Sequence, residues 1–590
     1  MLLRLRLKII EEKVMEKYRE EFEKWLTSGA LSEGEREELL KIRDNDGIKQ
    51  FRFSALMSFG TAGLRSSMYM GIGCMNRFTV AHTTRGIAAL IKKEHGEERG
   101  AVIAYDSRNN SREFARVSAC VLAGAGIKSY IFDDLRPTPE LSFAVRRLGC
   151  IAGINITASH NPKEYNGYKA YWEDGAQLAP EQADVVSRER EKFDVLDVSG
   201  VADYDEAVAS GLITVLDGDF DEIYLNEVIK TAINPSLIKD TADSLKVVYT
   251  PLHGAGTRLV PETFKRLGLT HLYTVDTQMK PDGDFPTVEK PNPEYAAVFT
   301  HGIEIANRVG SDLVIATDPD ADRVGVMARG KDGEFVTVSG NQMGALLLDY
   351  VIGQRRASGT LSSDDYCVKS IVSTDMAYKI AEVNGIKLYD VLTGFKFIGE
   401  VIKNYETSGA DGAFLLGFEE SYGYLLGTYA RDKDAVEASM MILEMTAFYK
   451  TKGMTLVDAL DALYEKYGFY AENMIDIYME GLDGIEKRKR IMTSLRNEPP
   501  SALGGVAVRE IGDYLSGMFR DVRTGKTRPT GQPSSDVLYF VLENDDKIII
   551  RPSGTEPKIK IYSLAHGKSS KELCEKLAAY AEDSKRMTEI

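Results

Sequence analysis

The sequence predicts several α/β domains followed by a distinct α+β domain, and three observations carry that reading. The chain has 590 residues, too many for one core and enough for about three to five domains. Over most of its length short apolar strands alternate with Gly-containing turns and helical stretches, the pattern of α/β units. Beyond about residue 470 that alternation gives way to closely spaced strands and a final helix.

Residues 11–27 read as an amphipathic helix, because Val14, Tyr18, Phe22 and Trp25/Leu26 recur at helical spacing. We expect an extension packed on the body, with no part in chemistry. Strands are predicted at 101–104, 130–132 and 151–156, with Phe114, Val117, Val121 and Leu122 on one face of an intervening helix. The theme recurs at 247–249, the turn His253-Gly254-Ala255-Gly256, a helix around Phe264, a strand at 272–273, and again at 313–316. No fixed-period repeat accompanies it. Residues 434–466 read as largely helical with a break at Gly453. Strands near 538–543, 547–551 and 559–563 and a helix over 569–583 make the last domain, with loops at Pro499-Pro500 and 524–535.

Composition is that of a globular protein, 43% hydrophobic and 27% charged. Net charge is −16 and basic runs are lacking, which argues against a nucleic-acid partner. No apolar run approaches the roughly 20 residues that span a bilayer, and Met1 to Ile10 interleaves Leu with Arg and Lys, unlike a signal peptide. The five cysteines are scattered without a CxxC pair, so neither a zinc site nor a disulfide framework is expected. The expected location is cytoplasmic.

Four segments carry chemistry. In Thr157-Ala158-Ser159-His160-Asn161-Pro162 a serine hydroxyl follows a buried strand, with Lys169 ten residues on. Such a serine can act as a nucleophile or carry a phosphate. In Asp318-Pro319-Asp320-Ala321-Asp322-Arg323 three carboxylates alternate after another buried strand. Their mutual repulsion calls for a cation, and hard oxygen ligands suit magnesium. An EF-hand is excluded, since its sixth and twelfth positions would be Arg323 and Arg329. In Gly417-Phe418-Glu419-Glu420-Ser421 carboxylates and a hydroxyl suit vicinal sugar hydroxyls, although a helix N-terminus explains the segment as well. In Arg551-Pro552-Ser553-Gly554-Thr555-Glu556-Pro557-Lys558 a guanidinium, two hydroxyls and a Gly-permitted turn form a phosphate cradle between strands. Smaller pieces accompany them: Gly60-Thr61-Ala62-Gly63-Leu64-Arg65, Asp106-Ser107-Arg108, and Thr393-Gly394-Phe395-Lys396.

Together, and in this order, the four segments resemble the α-D-phosphohexomutase family over about residues 55–565, in the form of its phosphoglucomutase and phosphopentomutase branch. The resemblance implies three similar α/β domains and a smaller α+β C-terminal domain around a central cleft. We expect divisions at 1–205, 206–325, 326–465 and 466–590. It also implies that Ser159 is the phosphoserine, and that Asp318, Asp320 and Asp322 bind Mg²⁺ together with it. Glu419 and Ser421 would hold the sugar. Arg551, Ser553, Gly554 and Thr555 would grip the non-reacting phosphate, with Arg323 beside the sugar or phosphoserine. Arg65, His160, Lys169 and Lys396 would surround the transfer, with Lys169 or His160 as acid/base. Ser66 stands where family members often have Gly.

The implied activity is interconversion of glucose 1-phosphate and glucose 6-phosphate through a phosphoserine enzyme, with glucose 1,6-bisphosphate as intermediate and activator. Phosphoryl transfer needs positioning and charge stabilisation, and a hinged last domain would exclude water. The alternatives are a phosphopentomutase or phosphomannomutase by the same mechanism, and a sugar-bisphosphate synthase. A metal-dependent hydrolase would not need the remote cradle. A non-catalytic sugar-phosphate binder would not need all the reactive groups intact.

Overall fold

A computed structural model describes residues 17–60, 63–479, 484–553 and 558–589. The described part of the N-terminal helix, 17–27, packs with Glu33–Leu40 and Asp46–Phe53. Residues 11–16 of the expected helix lie outside the described residues. Tyr18, Phe22, Trp25, Leu39 and Phe53 form one apolar cluster with Phe78 and Leu196 of the body. The same side chains that recur at helical spacing therefore dock the extension.

Three α/β units follow. The first sheet has the order Leu64–Ser67, Tyr165–Trp172, Ala152–Ile156, Ala101–Tyr105, Ser129–Phe132, Ile213–Leu216. Its four last-named strands run parallel, and Tyr165–Trp172 returns antiparallel beside Ala152–Ile156. Every residue of Ala101–Tyr105 and Ala152–Ile156 is buried, because helices cover both faces, and so these strands read as unbroken apolar runs. The second sheet runs Phe335–Val338, Val324–Arg329, Leu313–Thr317, Lys246–Thr250, His271–Thr274. The third runs Lys387–Val391, Tyr366–Ser370, Phe414–Glu419, Gly423–Leu425.

Three strands fall across or beyond the divisions expected from sequence: the buried Val324–Arg329 of the second sheet straddles residue 325, and two edge strands lie beyond the expected limits. Ile213–Leu216 completes the first sheet beyond residue 205, and Phe335–Val338 completes the second beyond 325. Both are edge strands with exposed central residues, so neither presents the apolar run by which the inner strands are recognised.

The last unit is an antiparallel sheet in the order Phe469–Tyr478, Lys558–Gly567, Lys547–Pro552, Leu538–Leu542, Val506–Asp513, Met518–Asp521, Thr527–Pro529. Helices Gly484–Asn497 and Ser570–Arg586 accompany it. One core links the first three units: Phe143 meets Phe220 and Tyr224, and the buried helices Gly340–Ala357 and Ala435–Thr451 continue it. The last sheet joins the third unit through Ile371, Val372 and Leu392, which pack with Tyr539, Ile549, Tyr562 and Leu564. Full burial of such an aliphatic side chain contributes roughly 1.5–3 kcal/mol.

Candidate active site

Ser159 follows the central strand Ala152–Ile156 of the first sheet. Thr157 Oγ1 donates to Asp106 Oδ2 at 2.6 Å and accepts the Ser159 amide at 2.8 Å. This turn holds Ser159 at φ 51°, a left-handed conformation that costs a non-glycine residue on the order of 1–3 kcal/mol. The buried Arg108 guanidinium donates to the carbonyls of Ser159, Asn161, Pro162 and Tyr165. Asp106-Ser107-Arg108 thus staples the serine loop from beneath. Arg65 donates to Asn161 Oδ1 at 2.9 Å on the same loop.

Asp318 follows the buried strand Leu313–Thr317 of the second sheet. Ser159 Oγ donates to Asp318 Oδ2 at 2.6 Å, across the junction of two units. The three aspartates are buried and form a group in which one carboxylate oxygen from each lies within 4.8 Å of the others. Each is tethered through a definite oxygen. Asp318 Oδ1 accepts the amides of Asp322 and Arg323 at 3.1 and 3.0 Å. Asp320 Oδ2 accepts Lys169 at 2.7 Å and Thr138 Oγ1 at 2.9 Å. Asp322 Oδ2 takes Lys169 at 3.1 Å and Lys433 at 3.2 Å. The other oxygens, Oδ1 of Asp320 and Oδ1 of Asp322, are buried without a hydrogen-bond partner. Arg323 Nε lies 3.8 Å from Asp322 Oδ1, beyond hydrogen-bond reach. Buried carboxylate oxygens without a hydrogen bond are costly, and a hard divalent cation is the ligand that suits them. The residues present therefore fit Mg²⁺.

Charge follows burial here. Burial, with Asp320 and Asp322 alongside, pushes the Asp318 carboxyl well above its ordinary range. Burial acts on Asp320 in the same sense and is the largest single effect, but the charge of Lys169 and the hydrogen bonds from Lys169, Asp318 and Thr138 together hold Asp320 below the usual range. Burial disfavours the Lys169 ammonium, and Asp320 and Asp322 more than offset it. His160 Nδ1 lies 3.3 Å from Ser159 Oγ. Burial and then Arg323 and Arg65 keep its imidazole neutral, well below the usual pKa.

The sugar-binding candidates sit on the third unit. Strand Phe414–Glu419 ends at Glu419, a turn through Glu420, Ser421 and Tyr422 follows, and Gly423 pairs back with Glu419. The segment is a hairpin, which excludes a helix N-terminus here. Glu419 is buried and accepts the Gly394 amide at 2.7 Å, which joins it to the loop Thr393–Lys396. Ser421 is half-buried in the turn. Arg323 donates to Glu294 at 2.6 Å.

On the last unit, Arg551 donates to Thr393 Oγ1 of the third. The Ser553 amide donates to the Lys558 carbonyl at 2.8 Å, and Arg488 donates to the Ser553 carbonyl at 2.9 Å. Gly554 and Thr555 lie outside the described residues. Lys396 lies in the same segment as Thr393 and Gly394. Burial lowers its pKa, its charged neighbours are Glu400 and Glu181, and its ammonium lies 4.9 Å from the Phe397 ring.

Sequence reasoning missed Lys433 and Asp432. Lys433 bridges Asp322 and Asp432 at 3.2 and 3.0 Å, and Asp432 also accepts Tyr171 and Gln177 from the first unit. The available signal is Arg431-Asp432-Lys433-Asp434, four charges directly before the long apolar helix Ala435–Thr451. All four are buried, and charges are buried only when paired. Among the described residues no helix is long and apolar enough to cross a membrane.

A buried serine hydroxyl on a carboxylate cluster that fits a divalent cation, with Lys169, Arg65 and Arg323 nearby, suits phosphoryl transfer. Family models for the α/β/α domains I, II and III of phosphoglucomutase/phosphomannomutase match residues 56–194, 222–333 and 339–467. A phosphoglucomutase of Staphylococcus aureus is 38% identical over 511 residues, 86% of this chain and 90% of its own. One of Staphylococcus saprophyticus is 37% identical over the same shares. The chain belongs to the phosphoglucomutase/phosphomannomutase family of isomerases. Its fold is shared with the open form of a Paramecium phosphoglucomutase, parafusin (TM-score 0.64, 19% identity, 90% of this chain and 95% of that one). It is shared too with a family protein from Burkholderia thailandensis (TM-score 0.63, 17% identity, 90% and 98%).

Proposed function

We propose that this protein interconverts glucose 1-phosphate and glucose 6-phosphate through a phosphoserine at Ser159, with glucose 1,6-bisphosphate as intermediate and activator. The observation that carries the reading is the 2.6 Å contact of Ser159 Oγ with Asp318 Oδ2, beside two buried carboxylate oxygens that accept no hydrogen bond. Mg²⁺ held by Asp318, Asp320, Asp322 and the serine phosphate would neutralise the charge of the transferring group.

In the first half-reaction the Ser159 Oγ–P bond breaks and a P–O bond forms to the free hydroxyl of the sugar monophosphate. The proton of that hydroxyl passes to neutral His160 and from there to Ser159 Oγ, which lies 3.3 Å from Nδ1. Lys169 stays protonated between Asp320 and Asp322 and offsets their charge. The bisphosphate then turns over in the cleft, and the second half-reaction runs the same steps in reverse on its other phosphate. Glu419 and Ser421 orient the sugar in both poses, while Arg551 and Ser553, with Gly554 and Thr555, hold the phosphate that is not reacting. Arg65 and Arg323 supply positive charge around the transfer. A cytoplasmic location belongs to the same proposal, in keeping with five unpaired cysteines.

The test is an assay of the purified protein with Mg²⁺ and catalytic glucose 1,6-bisphosphate, offered glucose 1-phosphate, mannose 1-phosphate and ribose 1-phosphate in parallel. Fast glucose 6-phosphate formation without release of free phosphate is expected. A marked preference for either of the other sugars would replace the substrate assignment, and phosphate release alone would overturn the mutase reading.

A further inference from the structure

Asp320 reaches its position through a residue of a different unit. Thr138, fully buried at the start of helix Thr138–Leu148, donates its hydroxyl to Asp320 Oδ2 at 2.9 Å. Its backbone amide donates to the Asp320 carbonyl, also at 2.9 Å. The hydroxyl in turn accepts Asn155 Nδ2 at 2.7 Å. A threonine hydroxyl carries one proton. Because Asn155 fills an acceptor position, that proton points at Asp320. Asn155 belongs to Ala152–Ile156, the strand that leads to Ser159. One hydrogen-bonded chain therefore runs from the serine strand to the carboxylate cluster of the next unit.

Lys169 alone does not fix this carboxylate. Its ammonium is a freely rotating donor on a flexible stem, and it is shared between Asp320 and Asp322. Thr138 is β-branched and stiff. With Thr138 and Lys169 both on Oδ2, Asp320 Oδ1 is left as the buried, partnerless oxygen. We infer that Thr138 is a positioning residue for the cation site, acting through Asp320 to select the oxygen that faces the ion and to hold it in register with Ser159. The inference rests on the reading of Asp318, Asp320 and Asp322 as cation ligands.

The experiment is calorimetric titration of the full chain with Mg²⁺, with Asp320→Asn as the reference that removes binding at this site. Thr138→Val keeps the shape and removes the hydroxyl. It should weaken Mg²⁺ binding by about 10–100-fold, the usual cost of losing a hydrogen bond behind a metal ligand. Thr138→Ser restores the donor and should bring affinity back to within about threefold, a small part of that loss. If Thr138→Val fails to fold by circular dichroism, Thr138→Cys, a poor donor of similar size, must show the weakening. Parental affinity in both Thr138→Val and Thr138→Cys overturns the inference, and so does a Thr138→Ser variant as weak as Thr138→Val. A parent chain that binds no Mg²⁺ overturns it together with the cation reading. A parent that binds Mg²⁺ but turns over no sugar phosphate removes the mutase proposal alone, and weakening in Thr138→Val still supports the role of Thr138.

Discussion

Replacing Arg551 by alanine separates the phosphate loop from the rest of the proposed chemistry. Arg551 lies on strand Lys547–Pro552, where its backbone is fixed by pairing opposite Lys560. The guanidinium therefore projects from a rigid sheet, and its described contact is with Thr393 of the neighbouring unit. A hydrogen bond to a charged partner contributes about 1.5–3 kcal/mol, which is about 10- to 150-fold in an equilibrium constant. If the guanidinium holds the non-reacting phosphate, the contact exists equally in ground and transition states. Its loss should then raise KM for glucose 1-phosphate by about that factor with kcat changed much less, the signature of uniform binding. Arg551→Lys should lie between the two, because an ammonium keeps the charge but not the two-pronged geometry. Initial rates from a coupled assay of glucose 6-phosphate give both constants. An unchanged kcat/KM in Arg551→Ala, or a fall confined to kcat, would refute a role in holding the distal phosphate.

Two further outcomes follow from the site and its surroundings. Ser159→Ala should abolish turnover and incorporate no phosphate from glucose 1,6-bisphosphate while unfolding at the parental temperature; retained activity would remove the phosphoserine mechanism. Glu140 is fully buried with neither carboxyl oxygen hydrogen-bonded, and burial raises its pKa to about 8, against the pull of Arg136. A raised folded-state pKa gives stability that is complete below the unfolded value and is lost as pH rises towards the folded one. The advantage of Glu140→Gln over the parent should thus grow by about 1.4 kcal/mol per pH unit between roughly pH 5 and 8. Urea denaturation at several pH values measures it, and a pH-independent difference would be the contrary result.

What the sequence revealed, and what it hid, divides along physical lines. Ala101–Tyr105, Ala152–Ile156 and Leu313–Thr317 are buried on every residue, so apolar runs alone locate them and the loops that leave their ends. Ser159 and Asp318 are legible for that reason. Ile213–Leu216 and Phe335–Val338 are half-exposed edges whose membership depends on a distant partner strand, which no local pattern encodes. Lys433 and Thr138 were invisible for a related reason. Each matters through a contact with the aspartate loop far along the chain, and neither a lysine in a charged run nor a threonine before a proline is unusual alone. Lys396 shows the converse. Its segment is tied to the hairpin, since the Gly394 amide donates to Glu419, but the described contact of the Lys396 ammonium is with the neighbouring Phe397 ring.

The arrangement also explains how a chain of net charge −16 can work on a dianionic substrate. The global field opposes binding, but screening confines it to about a Debye length, roughly 8–10 Å, while the cations that matter are buried and fixed. Lys169 of the first unit is held between Asp320 and Asp322 of the second, Lys433 of the third is held between Asp322 and its neighbour Asp432, and Arg323 is held by Glu294. Groups fixed in advance need not reorganise as charge moves during the reaction. The same fixing requires the units to keep their relative positions, because Ser159, Asp318, Glu419 and Arg551 come from four different ones. The first three share a continuous apolar core, which keeps serine and aspartates in register. The fourth attaches to the third through the smaller cluster around Ile371, Val372 and Leu392. Smaller inter-domain interfaces are where relative motion is expected. In the proposed mechanism the bisphosphate must turn over without escaping, which needs one unit that can loosen its grip while the other three hold the transfer site still, and the placement of the apolar contacts favours the Arg551-bearing unit for that part.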